Sequence, residues 1–450
     1  MAAGTSASDT RARLLALYEA AVAAAHPDAC LPPHLPAPPD KGRIIIVGAG
    51  KAAAAMAVAA ERHYRAQGAL DRVTGFTTAP HGTLHPAGER PRVIDIIHAR
   101  HPTPDASSLA AAERTLSLVA SADTDDLVLV LFSGGASALW AAPVAGLELA
   151  AKTALTRGLL KCGADIHEMN TVRRHISRIK GGRLRKATAA RMLTLAISDV
   201  PGDDPATIGS GPTVPDPTTL ADARAVLARR RPLMEALGLP IPAAVELALA
   251  DPANETPKPQ DPAFARDPER TEFRLIATPA AAIAQAARLA LEYGYEVADL
   301  GDAVTGEASA VARSHAELAR AAKASGRKLA IISGGELAVT VRNAQGRGGR
   351  NQEYALALAI ALDGLPGVAA LAADTDGIDG GEGRASDPAG AMIDATTLSG
   401  RNPSGRGRLD AQMFLDNNDA TAFFEAAGGL IVRGPTHTNV NDFRVILIDP

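Results

Sequence analysis

The sequence predicts an α/β fold in two domains, and three observations lead there. The first is alternation: apolar runs of strand length alternate with stretches of helical spacing along almost the whole chain. The second is length, because 450 residues exceed one average domain. The third is a repeated grammar in which an apolar run ends in glycine and a helix follows. It occurs at 41–56 (KGRIIIVGAGKAAAAM), at 127–137 (LVLVLFSGGAS) and, as strand and glycine loop, at 328–336 (KLAIISGGE). In sheets of this class ligands sit beyond the carboxyl ends of strands, which is where these loops fall.

In chain order, 9–25 reads as a helix, with Leu14, Leu15 and Tyr18 at helical spacing, and a proline-rich stretch leads to the strand of Ile44 to Val47. Alanine-rich sequence predicts the helix after Gly50. Strands follow at 73–77 and 93–97. Pro102 and Pro104 break the chain, and Asp105 is an N-cap for a helix to about 120. After the second glycine loop, 150–190 is largely helical and becomes basic, and 192–197 is a strand ending at Ser198-Asp199. Two helical stretches then reach a polar, proline-rich segment at 251–268. The predicted organisation is a Rossmann-like N-terminal domain (1–255), a linker (256–270) and a C-terminal α/β domain (271–450). The second domain has strands at 273–277, near Glu296, at 329–332, up to Asp374 and at 445–448, with 337–341 as a hairpin strand. Its helices start at Pro279, near Glu307 and at Asn351. This alternation predicts mostly parallel sheets.

Composition excludes several functions. A net charge of −4 and 3% aromatic residues offer neither a polyanion surface nor a stacking platform, so no nucleic acid is expected. The two cysteines, Cys30 and Cys162, rule out a disulfide framework or a cysteine zinc site and suit a reducing cytoplasm. No apolar stretch is long enough to span a bilayer, and the first residues do not read as a signal peptide. A cytoplasmic protein acting on a small molecule is expected, with homodimerisation left open.

The loops carry the chemistry. Gly48-Ala49-Gly50 ahead of a helix is a ready-made anion site, its backbone amides facing the turn, and with Ala53 it fits G-x-G-x-x-A, but Asp71 precedes the second strand instead of closing it, and Lys51 is foreign to a dinucleotide turn. A lysine in a helix's first turn opposes the dipole, so Lys51 is either a phosphate ligand or a solvated side chain. Ser133, Gly134, Gly135 and Ser137 form either an anion loop or a tight turn, and Ser333, Gly334, Gly335 and Glu336 repeat that choice. Asp199 and Asp376 are candidates for Mg²⁺ ligation or for a catalytic base, against capping or turn roles. Arg350, at a glycine-led helix start beside Asn351, suits a carboxylate or phosphate. The basic run 173–191 could shield phosphates, but such charge runs are usually solvated faces. Thr436, Asn439 and Asp442 lie in a polar loop before the last strand. His98, His101 and His167 lack metal-ligand spacing and read as structural.

At these residues the chain resembles the class II glycerate kinases, the glycerate 2-kinase family with a C-terminal MOFRL domain (here about 328–448). The matching segments are VGAGKAAAAMA, SGGASALW, MNTVRRHISRIKGGRL, ISDVPGDDPATIGSGPT, ISGGE, GRGGRNQE, DTDGIDG and GPTHTNVNDF. The resemblance implies phosphorylation of D-glycerate at its 2-hydroxyl by ATP with Mg²⁺. It implies active-site roles for Lys51 and Arg350 and an active site in the interdomain cleft. Two departures stand out: His437, where glycine is expected, and the longer insert 381–386. Rival readings are an NAD(P)H-dependent hydroxypyruvate reductase, a name some members carry, and a non-catalytic nucleotide-binding protein. Which domain holds ATP is open.

Overall fold

Apolar runs of six or seven residues become strands buried along their whole length, as expected where helices cover both faces of a sheet. In the computed structural model, which describes residues 7–83, 88–264, 270–381, 383–399 and 410–450, β1 (Ile44–Ala49) and β4 (Leu127–Phe132) are buried at every position. With β2 (Val73–Pro80), β3 (Ile94–Ala99), β5 (Arg191–Ile197) and β6 (Thr271–Ala277) they form a six-stranded sheet in the order β3-β2-β1-β4-β5-β6. The β1–β2, β1–β4, β2–β3 and β4–β5 pairs are parallel. This is the doubly wound order, whose chain reverses direction between β1 and β4. The register pairs Ala49 with Phe132, so the loops after β1 and β4 begin side by side at that switch point. Ile45, Val47, Val128, Val130, Phe132 and Trp140 build the core beneath them. The helix Ala106–Ala120 starts where expected: Asp105 accepts from the Ser108 amide and the Ser108 hydroxyl bonds back, a capping box.

The chain divides into two units, Cys30–Ile276 and Met1–Ala29 with Ala277–Pro450. This differs from the expected boundaries at both ends. The strand expected to open the second domain is β6 of the first sheet, where the Met192 amide donates to Arg270 O at 2.9 Å. The helix Ala7–Ala25 belongs with the C-terminal residues: Tyr18 donates to Asp374 O at 2.9 Å, and Thr438 to Ala25 O at 2.7 Å. Amphipathicity reveals that such a helix has a buried face but not which sheet receives it. Nor is 256–264 a free linker, because Thr256 is buried and donates to Asp216 at 3.1 Å. The remainder of that expected linker, 265–269, lies outside the described residues, as do 1–6 of the N-terminus and Glu382 of the insert.

The second unit contains β7 (Glu296–Asp299), β8 (Gly306–Glu307), β9 (Leu329–Ser333), β10 (Leu337–Ala338), β11 (Val368–Asp374), β12 (Gly390–Ile393), β13 (Leu430–Ile431) and β14 (Asp442–Ile448). Its six-stranded sheet runs β13-β12-β11-β14-β9-β7. Only β7–β9 is parallel; the other four pairings are antiparallel, so the expectation of mostly parallel sheets holds for the first unit alone. The expected hairpin strand is shorter than predicted and pairs in parallel with β8. Between 375 and 441, where sequence reasoning placed no element, lie β12, β13 and the helices Ala411–Asp416 and Ala420–Ala427. Among the described residues no helix is long and apolar enough to cross a membrane.

Candidate active site

In the first unit the two glycine loops at the switch point are stitched together. Gly50 has φ +144°, and a Cβ there would fall 2.0 Å from Ser133 Oγ, so only glycine permits this approach. Each amide at the turn is already committed. Gly50 N–H donates to Thr78 O (3.1 Å), Lys51 N–H to Gly134 O (2.8 Å), Ala52 N–H to Ser133 Oγ (2.9 Å) and Ala53 N–H to Gly50 O (3.1 Å). The expectation that this first loop cradles an anion with its backbone is therefore corrected. Gly48 and Gly50 serve close packing, and Ser133 holds the Ala52 amide just ahead of the neighbouring helix. The amides of Gly134 and Gly135, by contrast, donate to nothing among the described residues. Gly135 has φ +87°, and a Cβ built there would lie 3.0 Å from the His101 ring and 3.6 Å from Lys51 Cγ. Open amides, Lys51 and His101 thus converge. His101, which the sequence offered only as structural, stands beside the lysine.

Ser137 Oγ lies 2.9 Å from Ser210 Oγ, which bonds Asn170 Oδ1 at 3.0 Å. The basic run reaches the same place and is not a solvated face: Arg174, Lys180 and Arg185 are 5%, 1% and 4% exposed. Arg174 pairs with buried Asp216 at 2.9 Å. Asp199 follows β5, the neighbour of β4, and is half-buried. In the same loop Asp203 has φ +56°, and its buried Oδ1 has no hydrogen-bond partner. Asp204 is committed to the Ala206 amide and the Thr207 hydroxyl.

In the second unit a carboxylate cluster surrounds Arg350, the first residue of the helix Arg350–Leu362. Its Nε donates to both Asp442 oxygens (2.8 and 3.0 Å), Nη2 to Asp374 (2.9 Å) and Nη1 to Glu336 (3.1 Å). Burial alone would depress the guanidinium, but Asp442, Asp374 and Glu336 hold its pKa above the usual value. Arg444, buried within β14, bonds Asp442 (3.1 Å), Ser333 Oγ (3.2 Å) and Gly334 O, and so holds the third glycine loop in place. Gly334 N–H is spent on Gly301 O. Asp379 caps the Arg350 helix from across the loop, accepting from the Asn351 and Gln352 amides at 3.0 and 2.8 Å. Burial pushes its pKa up to about 6, against the pull of those two amides. Asn351 also donates to Asp442 at 2.8 Å.

Asp376 Oδ1 accepts from the Ile378 amide at 2.9 Å, which is the Asx-turn geometry. Thr436 donates to Thr375 O, and Asn439 accepts from the Asn441 amide, so both residues shape the polar loop. His437 has φ +62°, the left-handed region that favours the glycine expected there. A cavity of about 1040 Å³ opens along this site, with Arg347, Gly349, Arg350, Glu353 and Asp379 in its wall. Among the described residues no group of three or more His, Cys, Asp or Glu side chains is placed to hold a metal.

Sequence reasoning missed Asp374, Asp379 and Arg444 as site residues. The first two sit beside Asp376 in the segment DTDGIDG. Arg444 had no signal beyond being a charge within an apolar strand.

The comparisons agree with this architecture. Residues 13–238 match a family described as a domain of unknown function (DUF4147), and 329–442 match the MOFRL family. The "D-glycerate 2-kinase" of Thermotoga maritima is 37% identical over 411 residues, covering 90% of this chain and 91% of that protein. A "Putative hydroxypyruvate reductase" of Agrobacterium vitis is 44% identical over 449 residues, covering 98% of this chain and 95% of its own. The crystal structure of a glycerate kinase from Thermotoga maritima superposes with a TM-score of 0.82 at 33% identity, over 98% of this chain and 100% of that one. On these matches, the chain belongs to the glycerate kinase family that carries a C-terminal MOFRL domain.

Proposed function

We propose that the protein is a glycerate 2-kinase, transferring the γ-phosphoryl group of ATP to the 2-hydroxyl of D-glycerate to give 2-phosphoglycerate and ADP. The observation that carries this is the pair of open amides at Gly134 and Gly135, beside Lys51, at the switch point of a parallel sheet. Phosphoryl transfer demands mainly positioning and charge stabilisation, and donors of this kind supply both. Lys51 neutralises charge on the transferring group. Arg350 has most of its donors committed to Asp442 and Asp374, so it meets a ligand only along the edge shared with half-exposed Glu336. The oxygens of Asp199 and Asp203 suit Mg²⁺, which takes few carboxylates, and the unpartnered Asp203 Oδ1 fits such a role. The metal, when bound, neutralises phosphate charge. Asp199 or Asp376 accepts the hydroxyl proton.

The name of the Thermotoga relative supports this reading. The doubly wound strand order and an Agrobacterium relative's name favour a second reading, a hydroxypyruvate reductase. Against it, Asp71 lies in the turn Leu70–Arg72 that precedes β2, far from the strand end where a ribose acid belongs. One experiment separates them. The protein is incubated with D-glycerate and Mg·ATP, and in parallel with hydroxypyruvate and NADH. ³¹P NMR should show 2-phosphoglycerate in the first incubation, with NADH unconsumed in the second. NADH oxidation without a phosphorylated product overturns the kinase; 3-phosphoglycerate overturns only the position.

A further inference from the structure

Among the cations of the first unit that the roles assigned above leave unused, three belong together. Lys152, on the helix Leu149–Lys161, is 5% exposed, yet its ammonium has no hydrogen-bond partner. Lys180 is 1% exposed and reaches only neutral acceptors, Ser137 O at 3.0 Å and Gly209 O at 3.2 Å. Arg173 is half-buried. Among the described residues no carboxylate lies within ion-pair distance of any of the three, whereas the nearby Arg174 has Asp216.

The three cations feel one another. Burial first, then Lys152 and Arg173, drives the Lys180 ammonium well below its usual value. Burial first, then Arg173, lowers Lys152 to about 7. One helical turn before Arg173 on the same face, Asn170 is 1% exposed. Its Oδ1 is taken by Ser210, and its buried Nδ2 has no acceptor. Every unspent group in this cluster is therefore a donor or a cation.

Buried donors are normally satisfied, and buried charges are normally paired. A site that lacks acceptors in this way is completed by an anion. Lys180 holds the carbonyl of Ser137, so the cluster is joined to the loop that carries the open Gly134 and Gly135 amides. We infer that Lys152, Arg173, Lys180 and the Asn170 amide form a buried oxyanion subsite that takes the carboxylate of the hydroxy-acid substrate. The identity of that ligand rests on the kinase reading; the existence of the anion site does not. Inorganic phosphate and a nucleotide phosphate share the chemistry, so they serve as the other arms of the test.

The test is isothermal titration calorimetry of the whole protein with D-glycerate, inorganic phosphate and ADP, for the wild type, Lys152→Met and Asn170→Asp. Loss of one charge-assisted contact should weaken D-glycerate and phosphate about tenfold or more in Lys152→Met while leaving ADP unchanged. Asn170→Asp places an anion among the cations, so it should block D-glycerate and phosphate. Both variants should melt at or above the wild-type temperature, since each relieves uncompensated buried charge. If phosphate binds through Lys152 but D-glycerate does not bind at all, the anion site stands and the kinase reading fails. Three outcomes overturn the subsite: wild type that binds neither D-glycerate nor phosphate, variants that bind both normally, or loss confined to ADP. If Lys152→Met fails to fold, Asn170→Asp decides alone.

Discussion

Replacing Arg350 by methionine tests whether this arginine is committed to its own protein. Arg350 is 25% exposed on its side chain, while Asp442 and Asp374 are 0% and 8% exposed. Removing one partner from a buried ion pair costs about 3–5 kcal/mol, because the other charge is left uncompensated. Asp442 keeps Arg444 and Asn351 after the change, and Asp374 keeps the Asp376 amide at 3.0 Å. The expected loss therefore lies near the low end, about 3 kcal/mol. Glu336, at 53% exposure, adds under ~1 kcal/mol. The change acts within one unit, so a local measure reads it most directly. Hydrogen exchange of peptides from 351–362, followed by mass spectrometry, reads the helix that Arg350 opens. Arg350→Met should speed exchange there by about a hundredfold, as about 3 kcal/mol requires, and Glu336→Gln should leave it nearly unchanged. If Arg350→Met abolishes phosphorylation while exchange in this helix stays as in the wild type, the reasoning fails. The guanidinium then acts on a ligand and does not hold the carboxylates.

Two further outcomes are expected. Lys51→Met removes the side chain beside the open amides without touching the committed ones, so kcat should fall by about a hundredfold or more; a variant within threefold of wild-type kcat removes Lys51 from catalysis. Asp379 titrates near 6 in the folded chain against an ordinary 3.8, so between those values the folded chain keeps a proton that the unfolded chain has released. Its contribution to stability is full below about pH 4 and is lost as pH rises through about 6, worth about 3 kcal/mol at ~1.4 kcal/mol per pH unit. Urea unfolding of wild type and Asp379→Asn at pH 4.5 and pH 7 should show a stability gap that changes between the two; a constant gap refutes the assignment.

What was legible in the sequence follows from which constraints are local. Strands buried on both faces must be continuously apolar, so β1, β4 and β5 announce themselves. Glycines that a backbone approach requires mark the loops beyond β1, β4 and β9. Strand order is not local. Nothing in 271–277 says that β6 extends the first sheet, and nothing in 7–25 says that this helix serves the second unit. The direction of hydrogen bonds was hidden as well. Gly48-Ala49-Gly50 carries the more suggestive pattern, yet its amides are spent, and the open ones belong to Gly134 and Gly135.

The basic run shows the limit most clearly, and also a signal that was present. A charged run is normally a solvated face, and 173–191 has the composition of one. Burial depends on what covers a helix, which composition does not record. Lys152 differs, because it stands three and seven residues before Leu155 and Leu159, and all three are buried. A lysine within an apolar stripe at helical spacing cannot face water if the stripe faces the core. Either its stem snorkels outward or an anion comes to it. The 5% exposure of Lys152 excludes the first, so the helix pattern read together with burial singles out one cation of the run's neighbourhood as a candidate ligand contact.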